Sequence, residues 1–195
     1  MMHEALLEQY PRTVASKEAG RYVVRPLRTE DENHLHQFFL ASPPTERLFI
    51  KHRVTEREVI RQWCEDIDYG RNLPLLAWNQ EQDKILGVAT LHQQLGGWKR
   101  HIGRVSVLIH PDHRAKGIAR HLLSELIDIA RDFGLEKVEA EFVSEQERAI
   151  KVFSLLGFTK LLFLPDYVKD MQAISHDYVL MGMDLLTDEE YAGVG

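Results

Sequence analysis

The sequence is poor in the features that hold small secreted scaffolds or structural metals together. Cys64 is its only cysteine, so no intrachain disulfide can form, and neither a disulfide framework nor a zinc finger is compatible with it. No stretch approaches the roughly eighteen apolar residues that a membrane-crossing helix needs. The opening segment MMHEALLEQYPRTVASKEAGRYVV has neither the basic start nor the apolar run of a secretory signal. A soluble, cytoplasmic protein without membrane contact is expected. Positive charge is also scarce: 24 Lys and Arg stand against 30 Asp and Glu, a formal charge of −6, which argues against a nucleic-acid binder. A P-loop and a G-x-G-x-x-G fingerprint are absent, as are repeats and low-complexity tracts.

What is present is globular. With 44% hydrophobic and 28% charged residues over 195 positions, one core is the default. Residues 1–19 are polar with scattered Leu6, Leu7, Tyr10 and Val14 and read as an arm on the main body, which runs over 20–186 and is followed by a tail, 187–195. RYVVRPL reads as a strand ended by Pro26. Thr29 with Glu32, and Thr55 with Glu58, predict capping boxes for two helices, the second carrying Val59, Ile60, Trp63, Cys64 and Ile67 on one face. LLAWN, ILGVATLHQ and HIGRVSVLIH read as three adjacent strands. IARHLLSELIDIARDF is an amphipathic helix with Gly134 at its C-terminal cap, and LEKVEAEFV is the next strand. Ser144 with Glu147 opens a third box and a helix to about Leu156. FTKLLFL and DYVLMGMDL close the sheet, separated by a loop around Pro165. Antiparallel strands followed by strand-helix-strand-helix-strand units imply an α/β fold with a mixed sheet and fit a doubly wound one poorly.

The chemistry concentrates in VSVLIHPDHRAKGIARHLL, an apolar strand that runs through a basic turn into a helix N-terminus. Such a turn offers unpaired N–H groups and the positive end of a helix dipole to an anion. Arg114 and Lys116 add charge, and Gly117 lets the backbone approach closely. A solvated strand-to-helix turn is the competing reading.

On these residues the chain resembles the GNAT superfamily of acyl-CoA-dependent N-acetyltransferases. The family's Q/R-x-x-G-x-G/A signature is matched by Arg114, Ala115, Lys116, Gly117, Ile118 and Ala119. SEQERAIKVFSLLGF resembles its N-x-x-A-x-x-x-Y-x-x-x-G-F segment, with Ala149, Gly157 and Phe158 in register. The resemblance implies a mixed sheet of about six to seven strands, with an antiparallel N-terminal part and splayed parallel central strands, flanked by about four helices. It also implies acetyl transfer from acetyl-CoA to an amine acceptor, a small molecule or a protein amine, without metal or covalent intermediate. It leaves room for a homodimer. Pyrophosphate would lie on the N–H groups of 115–119, with an oxyanion donor near Val107, Leu108 or Ile109. Gln146, Ala149 and Phe153 would line the pantetheine. Glu141 is the first candidate base, at a spacing ahead of Phe153 similar to that of the Glu base and Tyr acid in members acetylating protein N-termini. Glu139 is the second, and His92 and His101 follow. Both carboxylates also read as salt-bridged surface groups.

The chain departs from the pattern where it has Phe153 for the proton-donating Tyr, Gln146 for the pantetheine Asn and Arg104 where protein-lysine acetylating relatives carry a carboxylate. These departures keep a second reading open, a module of the same fold that binds acyl-CoA without efficient catalysis. His110 and His113 flank a tight turn with no third ligand in view, so no metal is expected.

Overall fold

The structure is a computed structural model that describes residues 6–47, 50 and 53–186. Residues 1–5 of the expected arm, and the expected tail, lie outside the described residues. In chain order the elements are β1 (Arg12–Ser16), β2 (Gly20–Pro26), α1 (Glu32–Ala41), α2 (Pro44–Arg47), α3 (Arg57–Glu65), β3 (Asn72–Asn79), β4 (Ile85–His92) and β5 (Ile102–Ile109). They continue with α4 (Ile118–Asp132), β6 (Lys137–Val143), α5 (Glu147–Leu155), β7 (Thr159–Lys169) and β8 (Ser175–Asp184). One sheet in the order β1-β2-β3-β4-β5-β6-β8-β7 contains every strand. All neighbours are antiparallel except β5 and β6.

Helices cover both faces. On one, α4 lays Ile118, Leu122, Leu123, Leu126 and Ala130 against Leu75, Ala89, Leu91, Val105, Val138 and Ala140. On the other, Leu35, Phe38 and Phe39 of α1 and Ile60 and Cys64 of α3 meet Val23, Leu76, Trp78 and Ile85. The stripe predicted for Trp63 and Cys64 is therefore core, and burial pushes the Cys64 thiol up to about 11, which leaves it protonated and inert. At the outer edge beyond β8, β7 exposes Leu161, Leu162 and Phe163.

The sheet has eight strands, one more than the upper expectation, because the arm contributes β1, with Thr13 paired to Val23. Five helices are described rather than about four, since the four-residue α2 follows Pro43. None of the three expected capping boxes forms. At the first, the chain makes a 3-10 turn over Thr29–Asp31, where the Asp31 carboxylate accepts the Arg28 N–H at 2.8 Å. The second helix starts after Glu56, and His36 Nε2 lies 2.9 Å from the Thr55 carbonyl. At the third, Gln146 stands at the cap and its Oε1 takes the Val143 N–H at 3.0 Å. The expected loop at Pro165 is instead an irregularity inside β7, between Leu164 and Val168, and the chain reverses between Asp170 and Ile174.

Asp31 carries a second load. Both its oxygens receive Arg25 nitrogens at 2.7 Å, and the guanidinium stacks 4.4 Å from the Trp78 ring. Arg25 and Asp31 are buried, and removing one partner strands the other charge in the core. Asp31→Ala is expected to cost about 3–5 kcal/mol in urea-unfolding stability, well beyond the loss from exposed pairs such as Arg53–Glu56.

Candidate active site

The parallel pair β5–β6 opens almost as soon as it forms. Its rungs are Ile102↔Lys137, Gly103↔Val138 and Arg104↔Glu139. Beyond them β5 stays with β4 as far as Ile109↔Gly87, while β6 stays with β8 as far as Val143↔Tyr178. A gap therefore separates Val105–Ile109 from Ala140–Val143. The His110 N–H bonds the Leu86 carbonyl at 2.9 Å, and antiparallel alternation then turns the N–H groups of Leu108 and Ser106 toward β4. Those of Val107 and Ile109 face the gap. Leu108, grouped with them from sequence, instead packs its side chain on the core beneath α1 and α3.

The basic turn sits at the open end of β5. After a 3-10 turn over Pro111–His113, Ala115 and Gly117 adopt φ of +56° and +77°, and α4 begins at Ile118 with no side-chain cap. His121 returns its N–H to the Gly117 carbonyl at 3.0 Å, so the earlier N–H groups of the helix point out of its end. The bases are tethered. Arg114 pairs with Glu46 of α2 at 2.7 Å, and Lys116 Nζ donates to the Asp112 carbonyl at 3.0 Å. Burial first, with neighbouring Lys84 for His110 and Lys116 for His113, holds both imidazoles below their usual range.

The face of β6 opposite α4 carries the acidic candidates. Glu141 lies one alternation past the last rung. One of its oxygens is 2.9 Å from Arg104 Nη1, and the other accepts the Tyr178 hydroxyl at 2.9 Å. Burial and the adjacent Glu141 push the Tyr178 phenol upward. Glu139 lies deeper at the closed end, with Lys99 Nζ at 3.6 Å. Opposite Arg104 on β4, His92 has Asn72 Oδ1 at 2.7 Å and Ser106 Oγ at 3.5 Å from its two ring nitrogens. His101 precedes β5 at the closed end, where its carbonyl accepts the Glu136 N–H, away from the gap.

On α5, Phe153 is 1% exposed and sets its ring edge-on to Phe142 and Phe158 at 4.9 and 5.0 Å. It is a core residue here, and Ala149 packs against the same core. The Gln146 side chain caps the end of β6. Tyr178, which no motif marks, is the phenol that reaches the acidic cluster. Pairing of β8 with β6 delivers it, a relationship invisible along the chain. Nearby, His176 bridges Glu145 at 2.7 Å and Asp170 at 3.1 Å. Both carboxylates hold the imidazole above its usual range, which ties the β7–β8 turn to the loop before α5.

Among the described residues no three His, Cys, Asp or Glu converge as metal ligands, and no helix is long and apolar enough to cross a membrane. The site is thus a splayed parallel pair that ends at a helix N-terminus without a side-chain cap, within one mixed α/β sheet. The sequence profile of the acetyltransferase (GNAT) family matches residues 21–158, and the chain belongs to that family. Over 84 residues it is 38% identical to the L-amino acid N-acyltransferase MnaT of Escherichia coli K12, covering 40% of this chain and 49% of the relative. The L-methionine sulfoximine/L-methionine sulfone acetyltransferase of Salmonella typhimurium is 37% identical with the same coverage. The chain thus spans about half the length of the curated relatives it matches. The fold is shared with the ribosomal-protein-S5-alanine acetyltransferase of Vibrio fischeri, at TM-score 0.75 and 18% identity over 89% of this chain and 96% of that one. It is also shared with yncA of Salmonella typhimurium, solved with acetyl-CoA, at TM-score 0.70 and 22% identity over 85% and 95%.

Proposed function

We propose that the protein is an N-acetyltransferase that moves an acetyl group from acetyl-CoA to the neutral amine of a small acceptor. The observation that carries this reading is the opened strand pair itself, which turns the Val107 N–H of β5 into the gap and sets the Glu141 carboxylate on β6 just past the last rung. The residues present suit the donor. At the left-handed Gly117, Glu18 Oε2 at 3.6 Å is the one atom near the place of a Cβ among the described residues, and the helix end there suits a pyrophosphate. Each charge-assisted hydrogen bond there contributes about 1.5–3 kcal/mol. When bound, acetyl-CoA supplies the activated acyl group.

The chain's own residues do the rest. The N–H groups of Val107 and Ile109 are available to a carbonyl oxygen that gains negative charge. Glu141 takes the amine proton. An ammonium with pKa of about 10.4 is neutral in roughly one molecule in 2,500 at pH 7, a penalty of about 4.6 kcal/mol, so a positioned base has work to do. The thiol, with pKa of about 8.5, leaves without needing the phenol missing at 153. The names of the two curated relatives support a small amino-acid acceptor. The test is release of CoA thiol from acetyl-CoA with a panel of amines. Release with at least one small amine is expected, whereas CoA binding without release for any acceptor would favour a binding module instead.

A further inference from the structure

We propose that Arg104 and Glu141 form a paired-charge site for the zwitterionic head of a free α-amino acid, with Arg104 selecting the carboxylate and Glu141 receiving the ammonium. The assignment rests on the acetyltransferase reading and deepens it by naming the residues that recognise the acceptor's two charges. Three observations carry it.

The first is position. Arg104 is the last residue of β5 paired to β6, and Glu141 is the first on that face of β6 beyond the opening. The two charges therefore stand side by side where the gap begins, on the strands that border it.

The second is spare donor capacity. Nη1 of Arg104 lies 2.9 Å from a Glu141 oxygen, and Nε is buried with no hydrogen-bond partner among the described residues. The side chains of Arg104 and Glu141 are 38% and 26% exposed, so a small solute reaches both. A planar guanidinium with unused donors matches a carboxylate in a way that a lysine does not.

The third is complementarity. In an α-amino acid the ammonium and carboxylate hang from one carbon, the opposite of the charge order that Arg104 and Glu141 present at contact distance. A polyamine or a lysine side chain offers Glu141 its cation and meets the Arg104 charge with nothing.

The experiment measures thiol release from acetyl-CoA with a panel of free L-amino acids. For the best of them, its α-amide and its decarboxylated amine are then compared. Wild type is expected to prefer the free acid over both by about tenfold or more in kcat/KM, the difference appearing mainly in KM. Arg104→Gln is expected to reduce that preference by about tenfold or more, and Arg104→Lys, which keeps the charge without the fork, to fall between. CoA binding followed by calorimetry reports whether each variant is folded. A wild type that favours the amide or decarboxylated amine overturns the assignment, as does an undiminished preference in folded Arg104→Gln. Thiol release with no acceptor from a protein that binds CoA overturns the acetyltransferase reading and the assignment with it.

Discussion

Gly117→Val is expected to abolish the thermal stabilisation that CoA gives the wild-type protein. At 100 times its dissociation constant a ligand adds about 2.7 kcal/mol, which for a domain of this size is a rise of roughly 5–10 °C in Tm. Gly117 holds φ at +77°, a conformation that a β-branched residue avoids at a cost of about 1–2 kcal/mol. The substitution meets no hard clash, because the nearest atom to the added Cβ is Glu18 Oε2 at 3.6 Å. The backbone is what must move, and with it the N–H groups at the start of α4. Differential scanning fluorimetry with and without CoA checks the outcome. An undiminished shift in the variant would put the anion site elsewhere.

Glu141→Gln is expected to lower kcat at neutral pH by roughly 10²–10⁴ while the affinity for CoA stays near wild type. Glutamine keeps an oxygen for the Tyr178 hydroxyl and loses the charge that pairs with Arg104 and the lone pair that takes the proton. Raising the pH should recover part of the loss, because below the acceptor's pKa each unit of pH increase removes about 1.36 kcal/mol of the deprotonation penalty. Steady-state rates from pH 7 to 10, with CoA binding measured separately, test this. Wild-type rates across that range would return Glu141 to a structural carboxylate.

The parts of the molecule that sequence revealed are those whose signal is local. The α4 stripe, the alternating β6 and the hairpin of β3 and β4 each bury one face of a contiguous segment, so their periodicity survives in the chain. The turn at 114–119 was legible for the same reason, since all of its groups are neighbours. β1 was missed because RTVAS is short and exposed and becomes a strand only through pairing with β2. The three capping boxes do not form, and no side chain caps the starts of α1, α3 or α5; at the first, the Asp31 carboxylate instead takes the Arg28 N–H and the buried Arg25. On the face of β6 that carries Glu141, its partners were not legible in the sequence. Arg104 and Tyr178 come from β5 and β8 and meet it over β6, a convergence that only strand order creates. Phe153, assigned to the pantetheine by motif, faces an aromatic core once α5 is packed.

The exposed edge of the sheet bears on how the protein behaves in concentrated solution. A row such as Leu161, Leu162 and Phe163 on an outermost strand is the pattern that recruits further strands and starts aggregation. In β7 it is interrupted on both sides. Lys160 precedes the row, its ammonium 5.6 Å from the Phe163 ring, and Pro165 follows it, a residue with no N–H to offer an incoming chain. The break in register between Leu164 and Val168 turns the ladder away just beyond. The apolar side chains are thus presented on a stretch of backbone that Pro165 and the register break interrupt before it can template a second sheet.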